Sequence, residues 1–241
     1  MFYTLAIALV FMVALPGKIF AREDSSPDCV VLIHGLGRTA LSMKRLEWKL
    51  TRAGYHVVNV SYPSRRYSIE TLAEDYLGKI VAEKIPRNTG KIHFVTHSMG
   101  GILLRQYLTS HAVTNLGNVV MLAPPNHGSE MVDILKRNVI GRWILGPAGC
   151  ELGTTTNDLP QRLEETHFAL GIIAGDRSFN PWASHVLTGP DDGKVSVEST
   201  KLAGMNDFLV VHNTHTWLMW RSGTLVQIMG CLRQGKFEHA S

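Results

Sequence analysis

The chain has 241 residues, of which 45% are hydrophobic and 18% are charged, and its formal net charge is +4. These proportions are typical of a folded globular protein and exclude the disordered and collagen-like classes. Lysines and arginines occur singly or in pairs, without the basic run interleaved with aromatic residues that nucleic-acid binding uses. We therefore expect no nucleic-acid partner.

The N-terminal segment has the layout of a secretory signal peptide. Leu5 to Leu15 form an unbroken apolar run, and Ala21 offers a small residue for cleavage before a polar stretch. The run is shorter than the roughly 20 apolar residues that a membrane span needs. No lysine or arginine precedes it, so an uncleaved N-terminal anchor near a membrane is the alternative. We expect an exported protein, periplasmic or secreted, from which residues 1–21 are removed.

Three cysteines, Cys29, Cys150 and Cys231, lie far apart in the sequence without a C-x-x-C pair. This spacing excludes a zinc-ribbon or thioredoxin motif. An exported chain permits one disulfide. Because Cys29 opens an apolar strand, Cys150 and Cys231 are the expected pair.

Short β-branched runs alternate with longer segments of helical period along the rest of the chain. Six runs are predicted as strands: Cys29 to Ile33, His56 to Val60, Ile92 to Thr96, Asn118 to Leu122, Ala169 to Ala174 and Phe208 to Val211. Their near-continuous hydrophobicity is typical of strands buried on both faces of a parallel sheet. Helices are predicted over Leu41 to Ala53, Ile69 to Ile85, Gly101 to His111 and Thr216 to Leu232. The alternation indicates an α/β fold with a mostly parallel sheet flanked by helices.

Residues 22–241 contain no linker, so we predict a single domain. Residues 126–162 break the alternation, since they carry several glycines and a run of threonines around two apolar patches. Long insertions of this kind often form lids or pocket walls, and we expect a cap or pocket wall here. An irregular pair of surface helices is the alternative. Three tryptophans are candidates to line an acyl-chain pocket or to belong to the core: Trp143, Trp182 and Trp217.

A serine lies at a predicted corner between a strand and a helix. The stretch from Ile92 to Gly101 reads IHFVTHSMGG, with Ser98 at the corner. The pattern matches the nucleophile elbow, G-x-S-x-G, in which small neighbours let the strand and the helix approach. Thr96 replaces the first glycine. The helix N-terminus beyond Ser98 favours a developing oxyanion, whereas a plain N-cap serine is the alternative.

A second turn, His34-Gly35-Leu36-Gly37, ends the first predicted strand. An H-G-x-G turn of this kind presents the backbone N–H of Leu36. Together with the N–H of Met99, it is expected to form an oxyanion hole with two donors. His34 itself is expected to bond to the loop backbone.

The acid and the base are expected after the nucleophile in chain order. His215 follows the last predicted strand and is the candidate general base, with His212 as the alternative. The loop before that strand supplies Asp192 as the candidate acid, with Asp191 as the alternative. Asp176, which follows another predicted strand, is a third candidate for the acid.

The sequence gives no sign of a metal or a cofactor. No carboxylate or cysteine lies at a familiar ligand spacing from the two histidines of the last loop. No G-x-G-x-x-G stretch follows a strand, and no phosphate-binding loop is present. We expect chemistry carried out by side chains and backbone groups alone.

These motifs resemble those of the α/β-hydrolase superfamily, in particular its bacterial lipase- and esterase-like members. They occur in the family's order: HGLG at 34–37, YPS at 62–64, THSMGG at 96–101, LAPPNHGSE at 122–130, DDGKVSVEST at 191–200 and HNTHTWLM at 212–219. The resemblance implies a triad of Ser98, His215 and Asp192, an acyl-enzyme, and a small-molecule or lipid ester as substrate. It also implies that residues 126–129 border the pocket. Alternatives are a thioesterase, amidase or acyltransferase with the same triad, or a non-catalytic binding protein on this scaffold.

Overall fold

Six strands form one sheet in the computed structural model, which describes residues 26–239. The strands are β1 (Cys29–Ile33), β2 (His56–Val60), β3 (Ile92–His97), β4 (Leu116–Leu122), β5 (Leu170–Gly175) and β6 (Asp207–Val211). Every neighbouring pair is parallel, and the order across the sheet is β2-β1-β3-β4-β5-β6. The predicted α/β fold with a mostly parallel sheet is confirmed.

Helices connect the strands and cover the sheet. They are α1 (Lys44–Arg52), α2 (Ile69–Thr71), α3 (Lys79–Lys84), α4 (Met99–Ser110), α5 (Glu130–Leu135), α6 (Val139–Cys150), α7 (Leu159–Arg162), α8 (Pro181–Val186), α9 (Val197–Thr200) and α10 (Ser222–Gln234). A 3₁₀ turn, Ala40–Met43, leads into α1, and a π-helical stretch, Leu72–Gly78, joins α2 to α3. The helix predicted from Thr216 begins only at Ser222, because turns carry Leu218 and Met219 into the core first.

The sheet is buried on both faces because successive side chains of each strand point to opposite sides. On β1, Val31 and Ile33 belong to the core layer that also contains α4. Val30 and Leu32 belong to the other layer, against α1 and α10. All four side chains are fully buried. Burial on both sides explains why the sequence of β1 is continuously hydrophobic instead of alternating, whereas the edge strands β2 and β6 are only partly buried.

The order of the strands places the site. The chain runs from β1 outward to β2 and then returns to place β3 on the other side of β1. In open α/β sheets, ligand crevices lie outside the carboxyl ends of strands at such a reversal. Gly35 follows β1 and Ser98 follows β3, so both turns lie at that point.

The expected disulfide between Cys150 and Cys231 is wrong. Both thiols are free, as is that of Cys29. Cys231, on α10, lies in the core layer on one side of the sheet, whereas Cys150 packs against the core layer on the other side. The sheet therefore separates the two residues. Burial, followed by the nearby charge of Asp207, raises the pKa of Cys231 to about 12.

The predicted signal peptide, residues 1–21, lies outside the described residues, so export stays a prediction. Within residues 26–239, no helix combines the length and the apolarity needed to cross a membrane. The single-domain organisation with a cap over residues 126–162 also stays a prediction.

Candidate active site

Ser98 forms the sharp corner between β3 and α4. Its backbone angles are φ 54° and ψ −127°, a combination that residues with a side chain rarely adopt. The amide of Ser98 donates to the carbonyl of Leu122 (2.8 Å), and its own carbonyl accepts from the amide of Gly101 (2.9 Å). Ser98 occupies the N-cap position of α4, but its hydroxyl makes no capping bond. The strained residue is therefore held by its backbone, and its hydroxyl remains available to a ligand.

The two glycines after the serine allow α4 to approach the sheet. A Cβ on Gly100 would lie 2.6 Å from the carbonyl oxygen of Ile33, and a Cβ on Gly101 would lie 2.9 Å from the Cβ of Pro124. Thr96 is fully buried, and its Oγ1 would lie 3.3 Å from that same added Cβ on Gly101. The missing side chain at Gly101 thus leaves room for the threonine that replaces the expected glycine.

The turn after β1 lies directly against the serine. A Cβ on Gly35 would lie 3.0 Å from the Cβ of Ser98. The turn is held by a bond from the amide of Gly37 to the hydroxyl oxygen of Ser64 (3.0 Å). Within the described part of the chain, the amides of Leu36 and Met99 have no acceptor. Both expected oxyanion donors are therefore unengaged.

His34 has the structural role that the sequence predicts. Its ring stacks on Tyr62 with centroids 4.1 Å apart, and its Nδ1 donates to the carbonyl of Gly35 (3.0 Å). The hydroxyl of Tyr62 in turn donates to the carbonyl of His34. Burial lowers the pKa of His34 to about 4, so the ring is neutral at physiological pH.

Asp192 and His215 form a buried pair. The Nδ1 of His215 lies 2.7 Å from Oδ2 of Asp192, and the two residues are 3% and 2% exposed. The other carboxylate oxygen accepts from the amides of Lys194 (3.0 Å) and Val195 (2.9 Å). Because the carboxylate can only accept, Nδ1 carries the proton and Nε2 is left as a hydrogen-bond acceptor.

The alternative residues bond elsewhere. The carboxylate of Asp191 accepts from the amide of Gly193 (2.7 Å) and closes its own turn. Asp176 lies 2.9 Å from Nδ1 of His212, whose side chain is 73% exposed. Of the three candidate acids, Asp192 alone contacts His215 within residues 26–239.

His97 is a site residue that the sequence reasoning missed. Its Nε2 lies 3.0 Å from the carbonyl oxygen of His215, and the two rings are 4.8 Å apart. Burial, and then the charge of His215, lowers the pKa of His97 well below its usual range. A neutral ring that donates through Nε2 fixes the backbone of His215. The only feature of the sequence that could have indicated its role is its position directly before Ser98.

A cavity of about 370 Å³ connects these groups. Ser98, His215 and Leu36 line it, whereas the side chain of Met99 is in the core. The opposite side, which we call the helical wall (residues 129–152), contributes six apolar side chains: Met131, Val132, Leu135, Ile144, Leu145 and Leu152. The hydroxyl of Ser129 does not cap α5 but donates to the carbonyl of Lys194 (2.8 Å). Among residues 26–239, no group of His, Cys, Asp and Glu side chains is placed to hold a metal ion.

The tryptophans do not line this cavity. Trp143, Trp182 and Trp217 are 75%, 53% and 55% exposed, respectively. Trp143 lies on the outer face of α6, where the guanidinium of Arg65 stands 5.6 Å from its ring. The expectation that these residues line a pocket or fill the core is therefore wrong, because their helices and loops turn them towards solvent.

Comparisons with known proteins agree with this architecture. A lipase from Bacillus licheniformis in its mature form has 20% identity and a TM-score of 0.65, over 87% of this chain and 93% of the other. A metagenomic carboxyl esterase has 20% identity and a TM-score of 0.62, over 80% and 66%. Phospholipase PlaB from Legionella pneumophila has 16% identity and a TM-score of 0.64, over 88% and 60%. At these identities the likeness shows the fold alone. No curated protein matches significantly.

A protein-family model matches most of the chain. The model described as the alpha/beta hydrolase family matches residues 30–223, which is most of the chain and includes every candidate site residue. The matched region begins in β1 and extends past the loop that carries His215. The chain therefore belongs to the alpha/beta hydrolase family.

Proposed function

We propose that the protein is a serine hydrolase that cleaves carboxylic esters through an acyl-enzyme. One observation carries the proposal: the buried 2.7 Å bond between His215 and Asp192 lies beside the cavity that the strained Ser98 also lines. A catalytic triad is recognised by the geometry and the roles of its members, not by sequence position. In these roles Ser98 is the nucleophile, His215 the general base and Asp192 the residue that orients the imidazole.

The first half of the reaction forms the acyl-enzyme. The Nε2 of His215 takes the hydroxyl proton of Ser98 as its Oγ attacks the ester carbonyl. Negative charge then develops on the carbonyl oxygen, where the amides of Leu36 and Met99 stabilise it. The carboxylate of Asp192 accepts the bond from Nδ1 and stabilises the imidazolium. The imidazolium protonates the oxygen of the departing alcohol as the carbon–oxygen bond breaks.

Water completes the cycle with the same groups. His215, neutral again, accepts a proton from water as the water oxygen attacks the acyl carbonyl, and the acid is released as Ser98 recovers its proton. The apolar side chains of the helical wall favour an acyl chain as the acid part of the substrate. A cavity of about 370 Å³ lies at the low end of the usual size for small-molecule sites.

A fluorophosphonate probe and a p-nitrophenyl ester test the proposal together. The wild-type protein should be labelled and should hydrolyse the ester. Ser98→Ala should lose the label and lower kcat by about 10⁴-fold or more. Ser110→Ala is the matched control, because Ser110 is an exposed serine at the far end of the same helix. An unlabelled wild-type protein, or unchanged turnover in Ser98→Ala, would refute the triad. Preference for a thioester or an amide of the same acid would keep the triad and change the substrate class.

A further inference from the structure

Three cationic side chains line the cavity, and no carboxylate is among the described residues that line it. Arg38, Lys194 and Arg65 contribute to its lining, which contains no aspartate or glutamate in the described part of the chain. None of the three forms a salt bridge within residues 26–239. Arg65 is engaged with the ring and the carbonyl of Trp143. Arg38 makes a single side-chain bond, to the hydroxyl of Thr216, and the ammonium group of Lys194 makes none within residues 26–239. Arg38 and Lys194 are therefore less engaged than Arg65 and more available to a ligand.

Arg38 and Lys194 are close enough to influence each other and the site. Desolvation by the surrounding protein, and then the positive charge of Arg38, lowers the pKa of Lys194, and the carboxylate of Asp192 opposes this with a smaller effect. Both charges also contribute to the lowered pKa of His97, after burial and the charge of His215. Asp192 offsets these two like charges only in part, because its carboxylate is already bonded to His215 and to two backbone amides. An anion bound between Arg38 and Lys194 relieves the repulsion that remains.

The position of these cations indicates which part of the substrate they contact. The Nη2 of Arg38 donates to the hydroxyl of Thr216 (3.2 Å), the residue after His215, and Lys194 is two residues after Asp192. In the proposed reaction His215 protonates the leaving oxygen, so the alcohol lies on the side of His215. The apolar helical wall is built from a different segment, residues 129–152. The charged and apolar parts of the cavity thus match the two halves of an ester.

The same loop carries further positive charge. A second cavity of about 420 Å³ borders Thr214 and Trp217 and includes Arg45, Arg177 and Arg221, again without a carboxylate in its described lining. Clefts lined by one sign of charge concentrate ligands of the opposite sign. The face of the molecule around His215 is therefore built to attract anions.

We propose that the protein prefers esters whose alcohol part carries an anionic group, a phosphate or a carboxylate, which Arg38 and Lys194 bind beside His215. This inference rests on the proposed ester hydrolysis. It identifies Arg38 and Lys194 as specificity-determining residues that contact the substrate without taking part in proton transfer.

Four soluble esters with matched six-carbon acids test the preference. They are 1-hexanoylglycerol 3-phosphate, 3-hexanoylglycerate, neutral 1-hexanoylglycerol, and the glycerol monoester of adipic acid, whose anion lies on the acid side. We expect kcat/KM for the first two to exceed that of the neutral ester by at least about 10-fold, as charge-assisted hydrogen bonds allow. The preference should weaken when salt rises from about 50 mM to about 500 mM. A higher kcat/KM for the phosphate ester than for the carboxylate ester, or the reverse, then identifies the preferred anion.

Charge-removing variants assign the preference to residues. Arg38→Gln and Lys194→Gln should each lower the anionic-to-neutral ratio of kcat/KM by about 10-fold. Thr216→Val removes the hydroxyl that Arg38 contacts and keeps the charge, so it should retain the preference. Arg87→Gln and Lys91→Gln are matched controls, because both residues are exposed near the amino end of β3, at the opposite edge of the sheet. A ratio near one in the wild type, unchanged ratios in both variants, or preference for the adipate ester would overturn the inference.

A binding measurement separates this inference from the proposed reaction. Titration calorimetry with glycerol 3-phosphate, the expected product, should give binding that Arg38→Gln weakens at least about 10-fold and Arg87→Gln does not. Glycerol should not bind measurably. Binding without hydrolysis of any ester would remove the proposed reaction and keep the anion site. Ser98-dependent hydrolysis without this binding and without an anionic preference would keep the proposed reaction and remove the anion site.

Discussion

The two sides of the cavity are held in place by different physical means. The side that we call the turn wall (residues 34–38, 97–98, 192–195 and 215) is fixed by backbone hydrogen bonds and by glycines whose missing side chains allow close approach. The helical wall is held by packing of apolar side chains, and its outer face is exposed, with Val139 and Ile140 both 72% accessible. The proposed chemistry therefore depends on the side fixed by backbone bonds, whereas the surface proposed to contact the acyl chain belongs to the side held by side-chain packing.

The helical wall is joined to the turn wall, and to the loop that carries Arg65, at several points. One is the bond from Ser129 to the carbonyl of Lys194, and another is the contact of Trp143 with Arg65. A third is the kink of α6 at Gly146, where φ is 66° and an added Cβ would lie 2.3 Å from the carbonyl oxygen of Arg65. Because the outer face of the helical wall is exposed, substitutions there should have small effects. Substitutions in the turn wall, or of buried side chains on the cavity side of the helical wall, should have large ones.

The largest expected effect distinguishes Asp192, in the turn wall, from its neighbour Asp191. Asp192→Asn removes the acceptor that orients the proton on His215, and loss of the correct tautomer should lower kcat by about 10⁴-fold. Asp191→Asn is the matched control, because its carboxylate only closes a turn to Gly193. That change should lower kcat by less than about 10-fold. Steady-state kinetics with a p-nitrophenyl ester would show whether the adjacent aspartates differ in this way.

If Asp191→Asn were instead the more damaging substitution, the assignment of the acid would be reversed. Circular dichroism and a thermal melt of both variants are needed, since each aspartate also accepts amide bonds in the same turn. Equal losses of activity with intact folding would mean that the turn as a whole, and not one carboxylate, supports the site.

The fold was predictable because its signals are local. A parallel strand buried on both faces is almost continuously hydrophobic, and β1 and β5, which are buried at every position, show this most clearly. The edge strands β2 and β6 are only partly buried but keep enough β-branched residues to be identified. That Cys150 and Cys231 do not pair was not predictable, since nothing local shows that one thiol lies above the sheet and the other below it. The late start of α10 has a similar cause, because buried residues in a turn have the same apolar spacing as a helix face.

Some residues of the candidate site could be identified from the sequence, and others could not. Ser98 and its glycines could be identified because a strained corner needs small residues at set positions. His97 was missed because its partner is a backbone carbonyl 118 positions away, which leaves no pattern in the sequence. Arg38 and Lys194 could not be grouped before the fold was known, since they lie on loops after different strands. The triad itself stays a proposal until variants are measured.

The next largest effect tests how tightly the turn wall is packed. In Gly100→Ala the new methyl group meets two backbone oxygens, those of Ile33 (2.6 Å) and His34 (2.8 Å), neither of which can rotate away. The helix carrying Ser98 must shift, and a displacement of about 1 Å lowers rates by about 100-fold. Gly223→Ala in α10 is the control, because nothing lies within 4 Å of the added group. Similar kcat/KM in both variants would show that the corner is looser than its contacts indicate.

A smaller effect on stability should appear in acid. His34 has a pKa of about 4 in the folded protein against the usual 6.5. Below pH 6.5 the unfolded chain binds a proton there that the folded protein does not, so stability is fully present above pH 6.5 and is lost as the pH falls. At pH 5 the loss from this residue is about 2 kcal/mol, and His97, whose pKa is also lowered, adds to it.

Urea unfolding at pH 7 and at pH 5 measures this loss. In His34→Gln the difference between the two pH values should shrink by about 2 kcal/mol, whatever the variant does to stability at pH 7. His56→Gln is the control, since His56 is exposed on β2. An unchanged pH dependence in His34→Gln would mean that the ring beside Tyr62 takes up its proton without unfolding, and that the turn wall is less rigid than its contacts imply.

The smallest expected effect lies on the outer face of the helical wall. Ile140 is 72% exposed on α6, so Ile140→Ser should change the free energy of unfolding by no more than about 0.5 kcal/mol. Leu145, in the same helix, is 5% exposed and lines the cavity, and Leu145→Ala should cost about 2–4 kcal/mol because it leaves a void. Urea titrations of the two variants compare the faces of one helix directly. A loss of more than about 2 kcal/mol in Ile140→Ser would mean that this face is covered in solution, and the contrast between the exposed and the buried face of the helix would no longer hold.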